Sequence, residues 1–220
     1  LSLITQSLQS VSDSGFKEVV FSQVSPNPTD QNIIAGREAF LEGGHDAVIA
    51  IGGGSGMDAG KAISLVAYYQ CDLWDFDYDK PVPDLGGSTN FPKLICIPTT
   101  AGTGAETEST AMVTDTTRGV KRCVWHPEQK PVTIILDPEL TLGLPKTLTA
   151  WTGCDALVHA IEALSVPQWH PLCDGLALES IRMISRHLPV VVKDGGNLES
   201  RGAMLVASCM AGISFLKGLG

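Results

Sequence analysis

The sequence has little that would tie it to a membrane, to nucleic acid or to an oxidising compartment. No apolar run approaches the ~20 residues that a membrane-spanning helix needs. Basic residues number 15 against 24 acidic ones, and the net charge of −9 argues against a nucleic-acid partner, which needs a basic face. The six scattered cysteines include no Cys-x-x-Cys pair, and no signal peptide is visible. We therefore expect a protein of the cytoplasm with reduced thiols and no membrane partner.

The first two thirds of the chain alternate strand-type runs with helical patterns. Apolar residues make up 44% of the 220 residues, enough for a large core. Strands are expected at residues 16–21, 47–51, 93–97 and 132–136, and helices at 31–42 and 57–69. This alternation predicts an α/β domain with a parallel sheet. The acidic, Pro- and Gly-rich stretch at 72–90 has no assignment.

After residue 143 helical patterns dominate. Helices are expected at 148–164, 171–187 and 200–216, with one short strand-like run at 188–192. The third helix is almost wholly apolar and should lie at the centre of a helical domain. We place a domain boundary here, so that residues 1–143 form the α/β domain and residues 144–220 the start of a helical one. Leu1 begins within a helix-like pattern and Gly220 follows a buried helix directly, so both ends look cut.

A glycine turn follows the second predicted strand. The run Gly52-Gly53-Gly54-Ser55 leads into a helix, which places unpaired backbone N–H groups where a phosphate docks. The Ser55-x-x-Asp58 spacing is that of a capping box and predicts a helix start at Ser55. Because the pattern is neither G-x-G-x-x-G nor a P-loop, the alternative is a tight turn that serves packing alone.

A loop of threonines and glycines, residues 98–106, follows the third predicted strand. Thr99, Thr100 and Thr103 place three hydroxyls at the carboxyl end of a strand, where open α/β sheets bind ligands. The alternative is a loop whose hydroxyls satisfy its own backbone. Two such loops after successive strands strengthen the ligand-binding interpretation of both.

Asp155 and His159 lie four residues apart on a predicted helix. They share a face, so a carboxylate oxygen and an imidazole nitrogen can converge on one cation. The alternative is an Asp–His pair near a helix start without any metal. A catalytic metal needs at least three protein ligands, so the others lie beyond Gly220 or there is no metal. His170 is the one local candidate for a third ligand.

Taken together, these segments resemble the iron-containing (group III) alcohol dehydrogenases. The resemblance runs along nearly the whole chain, in the order and spacing of the family. It rests on Pro26 to Thr29, Gly52 to Lys61, Pro98 to Glu106, Asp137 to Pro145, and Thr152 to Glu162.

The resemblance implies a Rossmann-like parallel-sheet domain whose first strand is missing, followed by part of an all-helical metal-binding domain, as in the dehydroquinate synthase-like fold. It implies NAD or NADP and a divalent metal, with Fe²⁺ ahead of Zn²⁺. Asp155 and His159 would be the first two metal ligands, and two further histidines would follow Gly220. By motif position the residues that face the dinucleotide would be Asn27, Gly53, Gly54, Ser55, Asp58, Thr99, Thr100, Thr103 and Lys121.

The implied activity is hydride transfer between the nicotinamide and a primary or secondary alcohol, or its aldehyde or ketone, in a homo-oligomeric enzyme. A metal there would polarise the alcohol oxygen, while the protein orients the substrate and excludes water. One alternative is a dehydroquinate synthase-like lyase or cyclase, which the shortage of Lys and Arg around Asp155 disfavours. The other is a truncated dinucleotide-binding fragment without catalysis.

Overall fold

A computed structural model describes residues 2–69, 71–85 and 90–218, in which the first part combines helices with strands and the second part is helical. The strands are β1 (Ala47–Gly52), β2 (Lys93–Pro98), β3 (Thr110–Asp115), β4 (Val120–Trp125) and β5 (Thr133–Ile134). The helices are α1 (Ser2–Asp13), α2 (Asp30–Gly43), α3 (Gly54–Val66), α4 (Lys146–Ser165), α5 (Pro171–Lys193) and α6 (Leu198–Ser214).

A parallel sheet with the strand order β1-β2-β5 forms the centre of the first part, as predicted. Ile49 of β1 lies opposite Ile95 of β2, and Gly52 lies opposite Pro98. The carboxyl ends of β1 and β2 therefore meet, and the Thr99 amide donates to the Gly52 carbonyl at 2.8 Å. This register brings the glycine turn and the threonine loop side by side.

Helix α3 packs on this sheet, and α2 packs on α3. Thr29 caps α2, because its hydroxyl accepts from the Asn32 amide while the Asn32 side chain accepts from the Thr29 amide. Helix α3 lies close over β1, since a Cβ built at Gly60 would come within 2.5 Å of the Ala50 Cβ. Met57 fills the space between α3 and the sheet and is 1% exposed.

Two predicted strand segments differ in the structure. Residues 16–21 form no strand, because no described strand pairs with them; Phe16, Val19 and Val20 are more than half exposed, and only Phe21 packs against the core. The run at 188–192 is helical instead. Helix α5 continues through it because Leu188 and Val191, three residues apart, pack into the helical core, and this packing overrides the β propensity of the valines.

An antiparallel hairpin of β3 and β4, which sequence analysis does not predict, covers the outer side of α3. Its two strands pair from Thr110 opposite Trp125 to Asp115 opposite Val120. Arg122 anchors the hairpin, because its guanidinium bonds to Asp115 and Asp77 and lies 4.3 Å over the Trp74 ring. Within the unassigned stretch 72–90, the structure has a 3-10 helix at Leu73–Phe76; residues 86–89 lie outside the described residues.

Helices α4, α5 and α6 pack against one another, and α6 lies at the centre as predicted. Ala207 and Ala211 of α6 are fully buried. Alanines at the contacts let the helices approach closely, and the Ser180 hydroxyl of α5 donates to the Ala207 carbonyl at 2.8 Å. All six cysteines are free. Among the described residues, none of the helices combines the length and the apolar character that a membrane span requires.

The threonine loop touches α6 through backbone alone at Gly104. This residue has a left-handed backbone with φ of 63°, and a Cβ there would lie 2.9 Å from both the Gly212 Cα and the Ser208 carbonyl oxygen. Only glycine fits, both in backbone conformation and in space. The contact fixes the loop on the helical part of the chain.

The substitution Gly104→Ala is expected to lower the free energy of unfolding by about 1–2 kcal/mol for the left-handed backbone and by a further ~1–3 kcal/mol for overpacking against α6. Urea unfolding followed by circular dichroism measures the loss. Gly119→Ala is the matched control, because Gly119 has φ of 67° but nothing within 4 Å of a built Cβ. Equal losses in the two variants would show that the contact with α6 contributes nothing.

Candidate functional site

The helix that follows the glycine turn begins at Gly54, one residue earlier than predicted, and has no side-chain cap. The expected capping box of Ser55 and Asp58 is therefore wrong. The Ser55 hydroxyl accepts instead from the Asn27 amide at 3.2 Å, and Asp58 pairs with Lys61. Because Gly53 occupies the capping position and has no side chain, the first amides of α3 are left open to an anion.

The threonine loop packs directly against this turn. A Cβ at Gly53 would lie 3.2 Å from the Thr100 methyl carbon, and one at Gly54 would lie 3.0 Å from that of Thr103. Glycine at both positions lets the two loops touch. The Thr103 hydroxyl also accepts from the Ala105 amide at 3.3 Å, so part of its hydrogen-bonding capacity closes its own loop.

The other predicted dinucleotide residues lie at different distances from this contact. Asn27 adjoins the turn and has a positive φ of 60°, which asparagine tolerates better than most residues. Thr99 is half-buried at the end of β2. Lys121 is exposed on β4 opposite Thr114, whose amide donates to the Pro28 carbonyl next to Asn27. The hairpin is thus hydrogen-bonded to the segment that contains Asn27, which in turn bonds to Ser55 of the glycine turn. Lys121 lies on the outer strand of the hairpin, β4.

A buried charged side chain beneath the glycine turn, Lys61, was not among the site residues predicted from the sequence. Lys61 is 0% exposed, and its ammonium donates to the Ala105 carbonyl at 2.7 Å and lies 3.7 Å from the Asp58 carboxylate. The sequence signal was present, because a lysine three residues after an aspartate lies within an otherwise apolar helix.

Acidic groups surround this lysine. Burial raises the pKa of Asp58 to about 6, against the opposing effects of Lys61 and of the Met112 amide. Burial also raises the pKa of Glu106, which is 2% exposed. The Glu108 carboxylate, which accepts from the Thr110 hydroxyl at 2.8 Å, adds negative charge and raises the pKa of both neighbours. The region behind the turn is therefore a compact set of one cation and three carboxyl groups.

Asp155 and His159 lie together on α4 as the spacing predicts. The Asp155 Oδ1 and the His159 Nε2 are 3.5 Å apart. The neighbouring Asp155 carboxylate raises the pKa of His159, although burial opposes it. The edge of the ring meets Phe215, with centroids 4.7 Å apart, and the buried Nδ1 has no hydrogen-bond partner; the Glu162 carboxylate is 3.8 Å away.

The separation of these two atoms suits shared coordination. Two ligands, each about 2.1 Å from a tetrahedral divalent ion, lie ~3.4 Å apart. The 3.5 Å between Oδ1 and Nε2 matches that separation. The second ring nitrogen, Nδ1, makes no hydrogen bond, but the nearby Glu162 carboxylate is the kind of group that commonly orients a metal-binding histidine. The residues present therefore fit one side of a divalent metal site.

The expected local third ligand is not at this site. His170 begins α5, and its Nδ1 accepts from the Cys173 amide at 3.3 Å, as a capping residue does. Within residues 2–69, 71–85 and 90–218, no group of three or more His, Cys, Asp or Glu side chains is arranged to hold a metal ion. In the described part of the chain, Asp155 and His159 are the two candidate ligands that lie together.

The dinucleotide candidates and the metal half-site are joined by the threonine loop. A Cβ at Gly102 would lie 2.8 Å from the Thr152 Cβ, one turn before Asp155 on α4. The Glu108 charge raises the pKa of Asp58 behind the glycine turn and also that of His159 on α4. The two sets of residues therefore share one region of the molecule.

Comparison with known proteins gives the same family along both parts of the chain. Residues 1–138 match the family described as iron-containing alcohol dehydrogenase, and residues 149–218 match the C-terminal part of the Fe-containing alcohol dehydrogenase family. The NAD-dependent methanol dehydrogenase of Bacillus methanolicus is 37% identical over 214 residues, which are 96% of this chain and 54% of that protein.

Solved structures agree. A 1,3-propanediol oxidoreductase superposes with a TM-score of 0.92 at 34% identity, over 99% of this chain and 56% of that one. A sulfoacetaldehyde reductase from Bifidobacterium kashiwanohense, solved in complex with NAD⁺, gives 0.88 at 31% identity, over 97% and 56%. The chain spans about half the length of the relatives it matches. It belongs to the iron-containing alcohol dehydrogenase family.

Proposed function

We propose that this chain carries the dinucleotide site and one side of the metal site of an enzyme that transfers hydride between a small alcohol and NAD or NADP. One observation carries the proposal. The uncapped start of α3 lies against a threonine loop whose other side packs on α4, next to Asp155 and His159. Residues 1–143 would then hold the dinucleotide, and residues 144–220 would supply metal ligands.

The pyrophosphate of the dinucleotide would bind at Gly53, Gly54 and Ser55. The start of α3 offers open amides and the positive end of the helix dipole, which favour the two negative charges of a pyrophosphate. Thr99, Thr100 and Thr103 would contribute hydroxyls from the opposite side. Asn27, Asp58 and Lys121 complete the proposed dinucleotide set, with Asp58 one turn down the helix and Lys121 on the hairpin.

Asp155 and His159 would hold two positions of a divalent metal, with Fe²⁺ proposed and Zn²⁺ as the other candidate. When bound, such an ion polarises the alcohol oxygen and stabilises its negative charge. The Phe215 ring lies against His159 and would orient it, and the contact between the two loops would shape the dinucleotide site. A lyase of the related fold is disfavoured, because α4 contains a single basic residue, Lys146.

We also propose that the enzyme takes no nucleic acid, forms a homo-oligomer and lies in the cytoplasm. The net charge of −9 supports an enzyme that takes no nucleic acid. Trp169 and Leu172, which are 83% and 75% exposed at the start of α5, support assembly into a homo-oligomer. The free cysteines are consistent with a cytoplasmic enzyme.

Ser55→Asp tests the pyrophosphate site. A carboxylate in the first turn of α3 is favourable for the helix but repels the phosphates, since like charges ~4 Å apart interact by about 4 kcal/mol at an effective dielectric constant of ~20. Titration of the chain with NADH, followed by fluorescence, is expected to show affinity at least about tenfold weaker, with no loss of thermal stability.

Thr147→Asp is the control for that variant. It adds the same charge to the exposed first turn of α4 and should leave the affinity for NADH unchanged. The site would lie elsewhere if both variants weakened binding equally, or if Ser55→Asp bound NADH as tightly as the unsubstituted chain.

His159→Ala tests the metal site and the activity together, in the protein at its natural length. Loss of one ligand should reduce bound Fe²⁺ or Zn²⁺, measured by elemental analysis, at least about tenfold, and alcohol-dependent reduction of NAD⁺ or NADP⁺ in parallel. His170→Ala is the control, because His170 caps α5 away from α4, and it should retain both.

Two results would contradict these expectations. If the metal-loaded protein reduced neither NAD⁺ nor NADP⁺ with any small alcohol, the dehydrogenase proposal would fail. If His159→Ala retained its metal, the ligand assignment would fail while the dehydrogenase proposal stood.

A further inference from the structure

Lys61 joins helix α3 to the threonine loop from below. Its side chain is completely buried, and its ammonium donates to the carbonyl of Ala105 at 2.7 Å. Ala105 directly follows the loop residues Thr103 and Gly104, and opens the 3-10 turn Ala105–Thr107. Other contacts between this region and the loop are apolar: Met57 of α3 shares a buried cluster with Ala105, and Gly53 and Gly54 lie against threonine methyl groups.

Burying a lysine at this position lowers the stability of the fold. An ammonium group loses its hydration when it is buried, and the ion pair with Asp58 at 3.7 Å, together with the nearby Glu106, compensates only part of that loss. The helix neighbours Ala59 and Ala62 are apolar and buried, so an apolar residue would pack at lower cost in stability. An apolar residue at this position would lose the hydrogen bond to the Ala105 carbonyl.

The bonded carbonyl lies where it controls the loop. Gly104, one residue earlier, is fixed on the α6 backbone, and Thr103 contacts Gly54 at the start of α3. A displacement at Ala105 would therefore shift the threonines relative to the first amides of α3. We propose that Lys61 is a positioning residue that sets the distance between the threonine loop and the start of α3, and hence the width of the dinucleotide site.

The carboxyl groups around Lys61 determine how the proposal is tested. Asp58 and Glu106 both interact with the ammonium group, and Glu108 adds negative charge near these two carboxyl groups, so removing the cation alone would leave their charges uncompensated. Lys61→Met is accordingly paired with the double variant Asp58→Asn, Lys61→Met. The double variant removes one charge of each sign and remains informative if the single variant does not fold.

Hydrogen exchange measured by mass spectrometry, on the chain without ligand, is the test. Loss of the Lys61–Ala105 bond is expected to speed exchange in residues 98–107 roughly tenfold or more in both variants, while α5 keeps its protection. Leu65→Ala is the control, since it opens a cavity elsewhere on α3 and should leave the 98–107 segment no faster than the rest of the fold.

Unchanged exchange of residues 98–107 in the folded variants would overturn the proposal. Equal deprotection of this loop by Leu65→Ala would overturn it too, because Lys61 would then act only through general stability. The claim about the width of the dinucleotide site rests on the proposed function, so the affinity for NADH is measured alongside hydrogen exchange. A loop that loosens in a chain that binds no NADH supports the positioning role and counts against the function.

Discussion

The threonine loop, residues 98–106, is held on both sides by contacts that leave no room for a side chain, and the proposed site depends on that packing. Gly104 meets the backbone of α6, Gly102 meets Thr152 of α4, and Gly53 and Gly54 meet the threonine methyl groups. Because backbone and methyl contacts of this kind tolerate almost no displacement, they fix the sheet part of the chain relative to the helical part. The dinucleotide candidates and the Asp155–His159 pair owe their proximity to this one loop.

Charge behind the loop complements that packing. Lys61 is buried with three carboxyl groups around it, so the molecule accepts an electrostatic penalty where an apolar core would be more stable. Such a penalty at the point where two candidate ligand-binding loops meet is typical of a site whose geometry matters more than its stability. The start of α3, in contrast, carries no capping side chain, which leaves its amides for a ligand.

Local signals in the sequence predicted much of this arrangement. The strands β1 and β2, the glycine turn, the threonine loop and the three long helices each have their own pattern of apolar residues or glycines. The predictions that were wrong relied on propensity where tertiary contacts decide: residues 16–21 have no pairing strand, and residues 188–192 pack as helix. The Lys61–Ala105 bond and the Arg122–Asp77 bond that anchors the hairpin depend on partners distant in sequence, 44 and 45 residues apart.

The most direct test of this account is a crystal structure of the chain with NAD⁺ bound. We predict that phosphate oxygens will lie within hydrogen-bonding distance of the Gly54 and Ser55 amides, with the threonine loop on the opposite side of the pyrophosphate. A dinucleotide bound elsewhere, or bound with its pyrophosphate away from the start of α3, would contradict the account.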